Sequence, residues 1–445
     1  MPTSTLTGLN CQSILRPTKY LCTFLGVKAA SEGTERRHDN SWGHTPIRKE
    51  AYVTNLPQDP SAIPVPLLDV CRGNAPLKEE IMATLSEIFD SGRFVGGPHC
   101  QSLERTVSEV CNTEFAIGCA SGSDAILLAL MAKDIGPGDE VICPSFTFFA
   151  TASAIERLGA TPVFVDIDPI SYNMDPALIE SAVTPRTRAI IPVHLFGQCA
   201  DMDPIMEIAS AHDLYVIEDA AQAIGATYKG RPAGSIGDVG CFSFYPTKNL
   251  GGCGDGGILS TNDAEIADRL RLLANHGMRP RYYHQELGIN SRLDSIQAAI
   301  LSIKIRHLKT YSGNRQKNAD LYTQIFGESG INNEITLPKI THTNSRHVWN
   351  QYTIRIPNGW RDNIRQQMTD VNIGTEIYYP IPLHRQECFQ SLCYEIGSLP
   401  ETERASSDVL SLPIFPELTE AEIRYVVSQL VNAMSTQHSQ VKMAA

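Results

Sequence analysis

From Val65 onward the apolar positions of the chain alternate between two patterns. Short unbroken runs rich in Val, Ile and Phe occur at Phe115–Cys119, Glu140–Cys143, Thr161–Val165, Ala189–His194 and Tyr215–Ile217. Between them lie segments of helical period at Asp124–Ala132, Thr147–Leu158, Pro176–Val183 and Met202–Ala211. Strands without polar alternation, separated by helices, predict a mostly parallel sheet covered on both faces. Ligands of such sheets collect beyond the carboxyl ends of the strands. After Asp294 a helical stretch runs to about Tyr311. The remainder predicts a smaller α+β domain, with a strand at Tyr352–Ile356 and a helix at Arg361–Val371. A C-terminal helix is opened there by the capping box Thr419-x-x-Glu422. The expected organisation is an extension over residues 1–62, a large domain over 63–305 and a small domain over 306–445.

The extension stands apart in composition. Residues 1–31 contain three basic residues, Arg16, Lys19 and Lys28, and no acidic one. Glu32–Pro64 is polar and lacks an amphipathic period. An organelle transit peptide, a disordered tail and an overextended start all fit such a segment. The apolar run Tyr20–Val27 is short and interrupted by Thr23 and Gly26, which weakens a secretory reading.

For the whole chain of 445 residues, 42% hydrophobic and 19% charged residues exclude global disorder. A net charge of −12 argues against a nucleic-acid surface. No run of apolar residues is long enough to span a membrane. The twelve cysteines contain no C-x-x-C pair and the twelve histidines no H-E-x-x-H, so no metal centre is expected. Reduced, mostly buried thiols in a cytoplasmic protein are the expectation.

Three strand ends carry the candidate chemistry. Ala120-Ser121-Gly122-Ser123-Asp124 joins a strand to a helix. Free backbone N–H groups, a close-approach glycine and two hydroxyls would make a phosphate cup there. Taken alone, the Ser and Asp read first as helix N-caps. In Val216-Ile217-Glu218-Asp219-Ala220-Ala221-Gln222, Asp219 leaves a buried strand. It either caps the next turn or faces a cationic ligand atom, because an unpaired buried carboxylate is costly. The third strand end is Ser243-Phe244-Tyr245-Pro246-Thr247-Lys248. A lysine among apolar neighbours is a candidate Schiff-base amine, because desolvation lowers its pKa. In combination, cup, strand-end Asp and downstream Lys are the three anchors that pyridoxal phosphate needs: phosphate, ring nitrogen and aldehyde.

From about Val65 to Met434 the chain resembles the DegT/DnrJ/EryC1/StrS family of sugar aminotransferases. The resemblance rests on SGSDA, CPSFTFFATASAI, VFVDIDP, VIEDAAQAIGA, GCFSFYPTKNL, GINSRLDSIQAAIL and YYPIPLH. It implies a type I aspartate-aminotransferase fold, with a mostly parallel seven-stranded sheet in an α/β large domain. It implies that Lys248 is the Schiff-base lysine and proton carrier, that Asp219 pairs with the ring nitrogen, and that Gln222 lies near the ring hydroxyl. Phe148 would stack on the cofactor, and Gly122, Ser123 and Ser243 would take its phosphate. Asn290 would complete the phosphate site of a neighbouring subunit, in a homodimer with shared sites. Arg292, Tyr378, Tyr379 and His384 become candidates for the sugar nucleotide, with His276 and Arg281 behind them. The implied reaction passes an amine from an amino acid, glutamate by likeness, to a nucleotide-linked keto sugar for polysaccharide or glycoconjugate synthesis.

Within the family the chain is most similar to enzymes acting on UDP-linked 3-oxo-N-acetylglucosaminuronate, through Gly197–Asp201, Arg281–His284 and Asn290–Asp294. It departs from them at Tyr378, where they carry His, and at Asn249, where they carry Pro. Both departures leave the sugar open. Three rival readings remain to be separated. Gly252–Gly257 spells G-x-G-x-x-G but precedes a strand instead of opening a helix, against a dinucleotide site. A sugar dehydratase of the same family would carry histidine at Lys248. A noncatalytic regulator would keep the fold without turnover.

Overall fold

The computed structural model describes residues 64–444, so the expected extension over residues 1–62 lies outside the described residues. Three helices come first: α1 (Val70–Asn74), α2 (Lys78–Ser91) and α3 (Pro98–Cys111). Strands and helices then alternate through β1 (Phe115–Cys119), α4 (Gly122–Met131), β2 (Glu140–Pro144), α5 (Ala150–Arg157), β3 (Thr161–Val165), β4 (Thr187–Ile190), α6 (Met202–His212) and β5 (Tyr215–Asp219). A small hairpin of β6 (Thr227–Tyr228) and β7 (Arg231–Pro232) leads to β8 (Val239–Ser243), β9 (Gly257–Thr261) and α7 (Ala264–Leu273). The seven longer strands form one sheet in the order β1-β9-β8-β5-β4-β2-β3. Strands β3, β2, β4, β5 and β8 pair in parallel, and β9 runs antiparallel to both of its neighbours.

The unbroken apolar runs have a simple cause. Successive side chains of a strand point to opposite faces, and here both faces are covered. Ile142, Val216 and Phe242 enter a core with Leu103 and Val107 of α3 and Ile205 of α6. Their neighbours Val141, Ile217 and Cys241 enter another core with Ile126 of α4, Ile155 of α5 and Leu270 of α7.

The chain continues through α8 (Ser295–Ile305), α9 (Leu308–Ser329), β10 (Tyr352–Arg355), α10 (Arg361–Asp370), α11 (Pro400–Asp408), β11 (Val409–Leu412) and α12 (Glu420–Ala444). A further core joins Tyr322 and Phe326 of α9 to Ile354, Ile364, Leu410 and Val426. Val65 belongs to that core as well, and it bridges Ile373. The capping box forms as expected, with Glu422 N–H donating to Thr419 Oγ1 at 3.3 Å and Thr419 N–H donating to Glu422 Oε2 at 2.8 Å.

Several expected elements differ. Pro176–Val183 forms two short 3-10 turns, Pro176–Leu178 and Glu180–Ala182, and no α-helix. Pro185 follows closely and forces Thr184 away from helical angles. The β4 strand ends at Ile190, short of His194, because Pro192 has no N–H to continue the ladder. The helical stretch expected from Asp294 to Tyr311 breaks at Arg306–His307, and α9 then runs on to Ser329. Its inward stripe, Leu308, Ser312, Arg315, Ala319, Tyr322 and Phe326, includes two polar residues, which hid the period.

Candidate active site

Strand register assembles the glycine-lined cup. Gly257, at the start of β9, is the register partner of Cys119 on one side and of Ser243 on the other. The β1–α4 turn therefore lies directly beside the end of β8. A Cβ on Gly257 would stand 2.4 Å from the Ser121 carbonyl carbon, and one on Gly122 would stand 2.7 Å from Ser243 Cβ. Only hydrogen fits at either place. Ser121 acts as the N-cap of α4, its Oγ accepting from Asp124 N–H at 3.1 Å. Ser243 is half-buried, and its Oγ accepts a long 3.3 Å bond from Tyr245 N–H. Ser123 lines one cleft with Phe148 and Phe149.

Asp219 ends β5, buried, with Oδ2 accepting from Thr151 Oγ1 at 2.7 Å and Oδ1 from Ala221 N–H at 3.2 Å. Burial raises its pKa, opposed by the Thr151 and Ala221 donors and by the charge of Lys248. Lys248 sits in a tight turn, its N–H donating to Tyr245 O at 2.8 Å. Burial pulls its ammonium down to about 8, and Asp219 alone pulls the other way. The structure thus brings these two groups close enough to alter each other's proton affinity. Asn249, the first departure from the subgroup pattern, is buried, donating to Val348 O at 2.7 Å and accepting from Asn350 Nδ2 at 2.9 Å. It ties the lysine loop down by hydrogen bonds.

Beyond the strand ends, Gln222 accepts from Phe196 N–H at 2.6 Å and donates to the Tyr379 hydroxyl at 3.4 Å. Tyr379 lies 6.3 Å from Phe148, ring to ring, and Phe148 is 58% exposed, free to receive a flat ligand. Burial and the charge of Asp219 hold the Tyr379 hydroxyl well above its usual range, so it stays protonated. Tyr378 is half-buried beside it, with the rings 5.8 Å apart.

Four other sequence candidates lie in exposed stretches. Asn290 bridges Asn275, Arg292 donates to Asn275 Oδ1 at 3.1 Å, and His276 and Arg281 are both exposed nearby in the chain. His384 is different. It is buried, its Nδ1 lies 2.7 Å from Ser145 Oγ, and its Nε2 lies 3.2 Å from Glu403. With both ring nitrogens on protein partners, His384 ties its loop to the end of β2.

Two groups escaped sequence reasoning. Thr151 was hidden inside an ordinary helix pattern. Glu218 stood in plain view beside Asp219 but points the other way, as strand alternation requires. It is fully buried, with Oε1 accepting from Ile236 and Gly237 N–H at 2.7 Å each, and Oε2 from Gly234 N–H and His194 Nε2 at 2.8 Å each. His194 Nδ1 accepts from Ala200 N–H at 3.1 Å, which places its proton on Nε2. Among the described residues no group of three metal-ligating side chains occurs, and no helix is long and apolar enough to cross a membrane.

Residues 76–431 match the model of the DegT/DnrJ/EryC1/StrS aminotransferase family. A protein of Geobacillus stearothermophilus described as a pleiotropic regulatory protein is 50% identical over 82% of this chain and 97% of its own. The UDP-N-acetyl-3-dehydro-alpha-D-glucosamine 3-aminotransferase of Acidithiobacillus ferrooxidans is 46% identical over 82% of this chain and 96% of its own. Among solved structures, Streptomyces venezuelae DesV in complex with a ketimine intermediate superposes with a TM-score of 0.79 at 42% identity, covering 83% of this chain and 98% of that one.

Proposed function

This chain belongs to the DegT/DnrJ/EryC1/StrS aminotransferase family, and on that premise we propose how its residues divide the work. The enzyme is a pyridoxal-phosphate-dependent aminotransferase acting on a nucleotide-linked keto sugar. The residues present fit the cofactor, since a carboxylate, a lysine of lowered pKa and a cradle that only glycine permits meet at adjoining strand ends. The Asp219–Lys248 pair is the observation that carries this assignment.

When bound, pyridoxal phosphate supplies an electron sink, provided that its ring nitrogen is protonated. Asp219 holds that proton in place. At about 4 Å and an effective dielectric near 20, such a pair has about 4 kcal/mol of gross attraction, enough to set against the cost of burying the carboxylate. Lys248, its pKa lowered to about 8, is a neutral amine in about a tenth of molecules at pH 7, far more than an ordinary lysine, and can take and return a proton at the substrate carbon. Gly122, Ser123 and Ser243 receive the phosphate, Phe148 lies against the ring, and Gln222 approaches the ring hydroxyl. Asn290 reaches the phosphate of a neighbouring subunit, so the working unit is a homodimer with shared sites. Arg292, Tyr378 and Tyr379 meet the sugar nucleotide, while His384 supports the loop that carries the two tyrosines.

The amine donor in this reading is L-glutamate, and a UDP-linked 3-oxo sugar is the first acceptor to test, in a cytoplasmic route to an amino sugar of a polysaccharide or glycoconjugate. The Acidithiobacillus relative supports that acceptor. The decisive measurement is the visible spectrum of the purified protein before and after glutamate alone. A band that bleaches, and returns with the keto sugar, is the expected result. A spectrum indifferent to glutamate would revive the regulator reading, which the description of the Geobacillus relative favours.

A further inference from the structure

We propose that Thr151, backed by Thr147, is a positioning residue that keeps the Asp219 carboxylate ionised and aimed, and so sets the acid limit of the enzyme's working range. The inference rests on the reading of Asp219 given above. Thr151 Oγ1 stands 2.7 Å from Asp219 Oδ2, and Thr147 Oγ1 stands 3.2 Å from Thr151 Oγ1. An ionised carboxylate only accepts hydrogen bonds, and a hydroxyl has one proton to give. Thr151 therefore donates to Asp219, and Thr147 donates to Thr151. The two hydroxyls form a one-way chain ending on the carboxylate.

Both threonines are buried, so water does not compete for these bonds. A helical threonine commonly donates back to a carbonyl of the preceding turn. Thr151 instead reaches a partner 68 residues away in sequence. Its bond is the shorter of the two that the Asp219 carboxylate accepts from the described residues, the other being the 3.2 Å contact from Ala221 N–H. The charged and titratable groups acting on Asp219 are few. Lys248 favours the ionised form, His194 turns its Nε2–H to Glu218, and Tyr379, Cys143 and Cys241 are buried with their pKa values raised and stay neutral. Burial works against ionisation, and the Thr151 hydroxyl is its largest opponent.

The placement also couples two tasks. Thr147 and Phe148 are adjacent, and Thr151 follows four residues after Thr147. The β2–α5 connection and the first turn of α5 thus present the ring-stacking side chain and the support of the ring-nitrogen partner. A shift of that connection would disturb both.

The test uses the full-length holoenzyme with Thr151→Val, Thr151→Ser and Thr147→Val. Valine matches the shape of threonine and deletes only the donor. Removing a donor to the carboxylate raises its pKa, so Asp219 becomes protonated at a higher pH and the acid limb of kcat/KM moves upward. One hydrogen bond to a charged group corresponds to a shift of about one pH unit, with roughly tenfold faster loss of pyridoxal phosphate on dialysis. Thr151→Ser should restore both readouts, and Thr147→Val should shift them in the same direction by less. An unchanged limb and unchanged cofactor retention in Thr151→Val would overturn the proposal, as would a Thr151→Ser enzyme no better than Thr151→Val. Should Thr151→Val fail to fold, Thr147→Val, which leaves Thr151 in place, decides by the same two readouts. Full turnover in Asp219→Asn would sink the reading of Asp219 and this proposal together. A dead Asp219→Asn beside an unaffected Thr151→Val overturns this proposal alone.

Discussion

Replacing Glu218 with leucine should do more damage than any other single change near the site that leaves the proposed ligand-binding residues intact. The side chains are of similar size, so the effect is chemical. Glu218 is fully buried and takes four hydrogen bonds, from the N–H groups of Gly234, Ile236 and Gly237 and from His194 Nε2. Leucine would leave all four donors facing hydrocarbon. At about 1–3 kcal/mol for each orphaned buried donor, the gross loss is about 4–12 kcal/mol. Removing the charge relieves part of its own desolvation penalty, which places the net effect toward the lower end. Whole domains are stable by only about 5–15 kcal/mol, so even that is severe. Glu218→Gln keeps the shape and one acceptor oxygen but turns an NH2 toward two donors, and it should fall between wild type and leucine.

The assay is denaturant unfolding of the holoenzyme, with the visible band followed alongside, since Asp219 is the next residue of β5. The pH dependence has a definite sign. Burial raises the Glu218 carboxyl, but the His194 hydrogen bond and the backbone donors outweigh it and the net shift is downward. A lowered folded-state pKa gives stability that is complete above the ordinary carboxylate range and is lost as pH falls through the folded value. The gap between wild type and Glu218→Gln should therefore narrow on acidification. A Glu218→Leu protein that unfolds at the wild-type denaturant concentration would refute the reasoning.

The remaining predictions concern the cofactor cradle and the lysine. Gly122→Ala puts a methyl 2.7 Å from Ser243 Cβ, a clash costing about 1–3 kcal/mol, and should release pyridoxal phosphate on dialysis while the fold survives; wild-type retention would argue against the cup. Because only the neutral amine attacks an aldehyde, capture of pyridoxal phosphate by the apoenzyme should accelerate as pH rises through about 8, the Lys248 value, and a flat stopped-flow profile would contradict it. Lys248→Ala and Asn290→Ala should each be inactive alone yet recover activity when mixed as dimers, since one mixed site then carries both native residues. No recovery after verified subunit exchange would tell against shared sites.

How much of this was legible in the chain depends on how far apart the interacting residues are. The strands at Phe115–Cys119 and Thr161–Val165 were readable to the residue, because a strand covered on both faces writes its burial into consecutive apolar positions. The capping box at Thr419 and Glu422 was readable because its partners are three residues apart. Asp219 and Lys248 could be placed at strand ends for the same local reason. The α9 helix was not readable, because its inward stripe includes Ser312 and Arg315, and Arg315 finds its acceptors at Trp349 O and Ile414 O. The partners of His384, Ser145 and Glu403, lie far from it in sequence, and Thr151 looked ordinary until β5 brought Asp219 to it. Composition and short-range pattern thus determined the elements, their order and the kinds of chemistry at their ends. Tertiary packing, through contacts between residues up to hundreds apart, decided which polar groups face each other, because a buried donor or acceptor takes its meaning from whatever partner the packed fold leaves beside it.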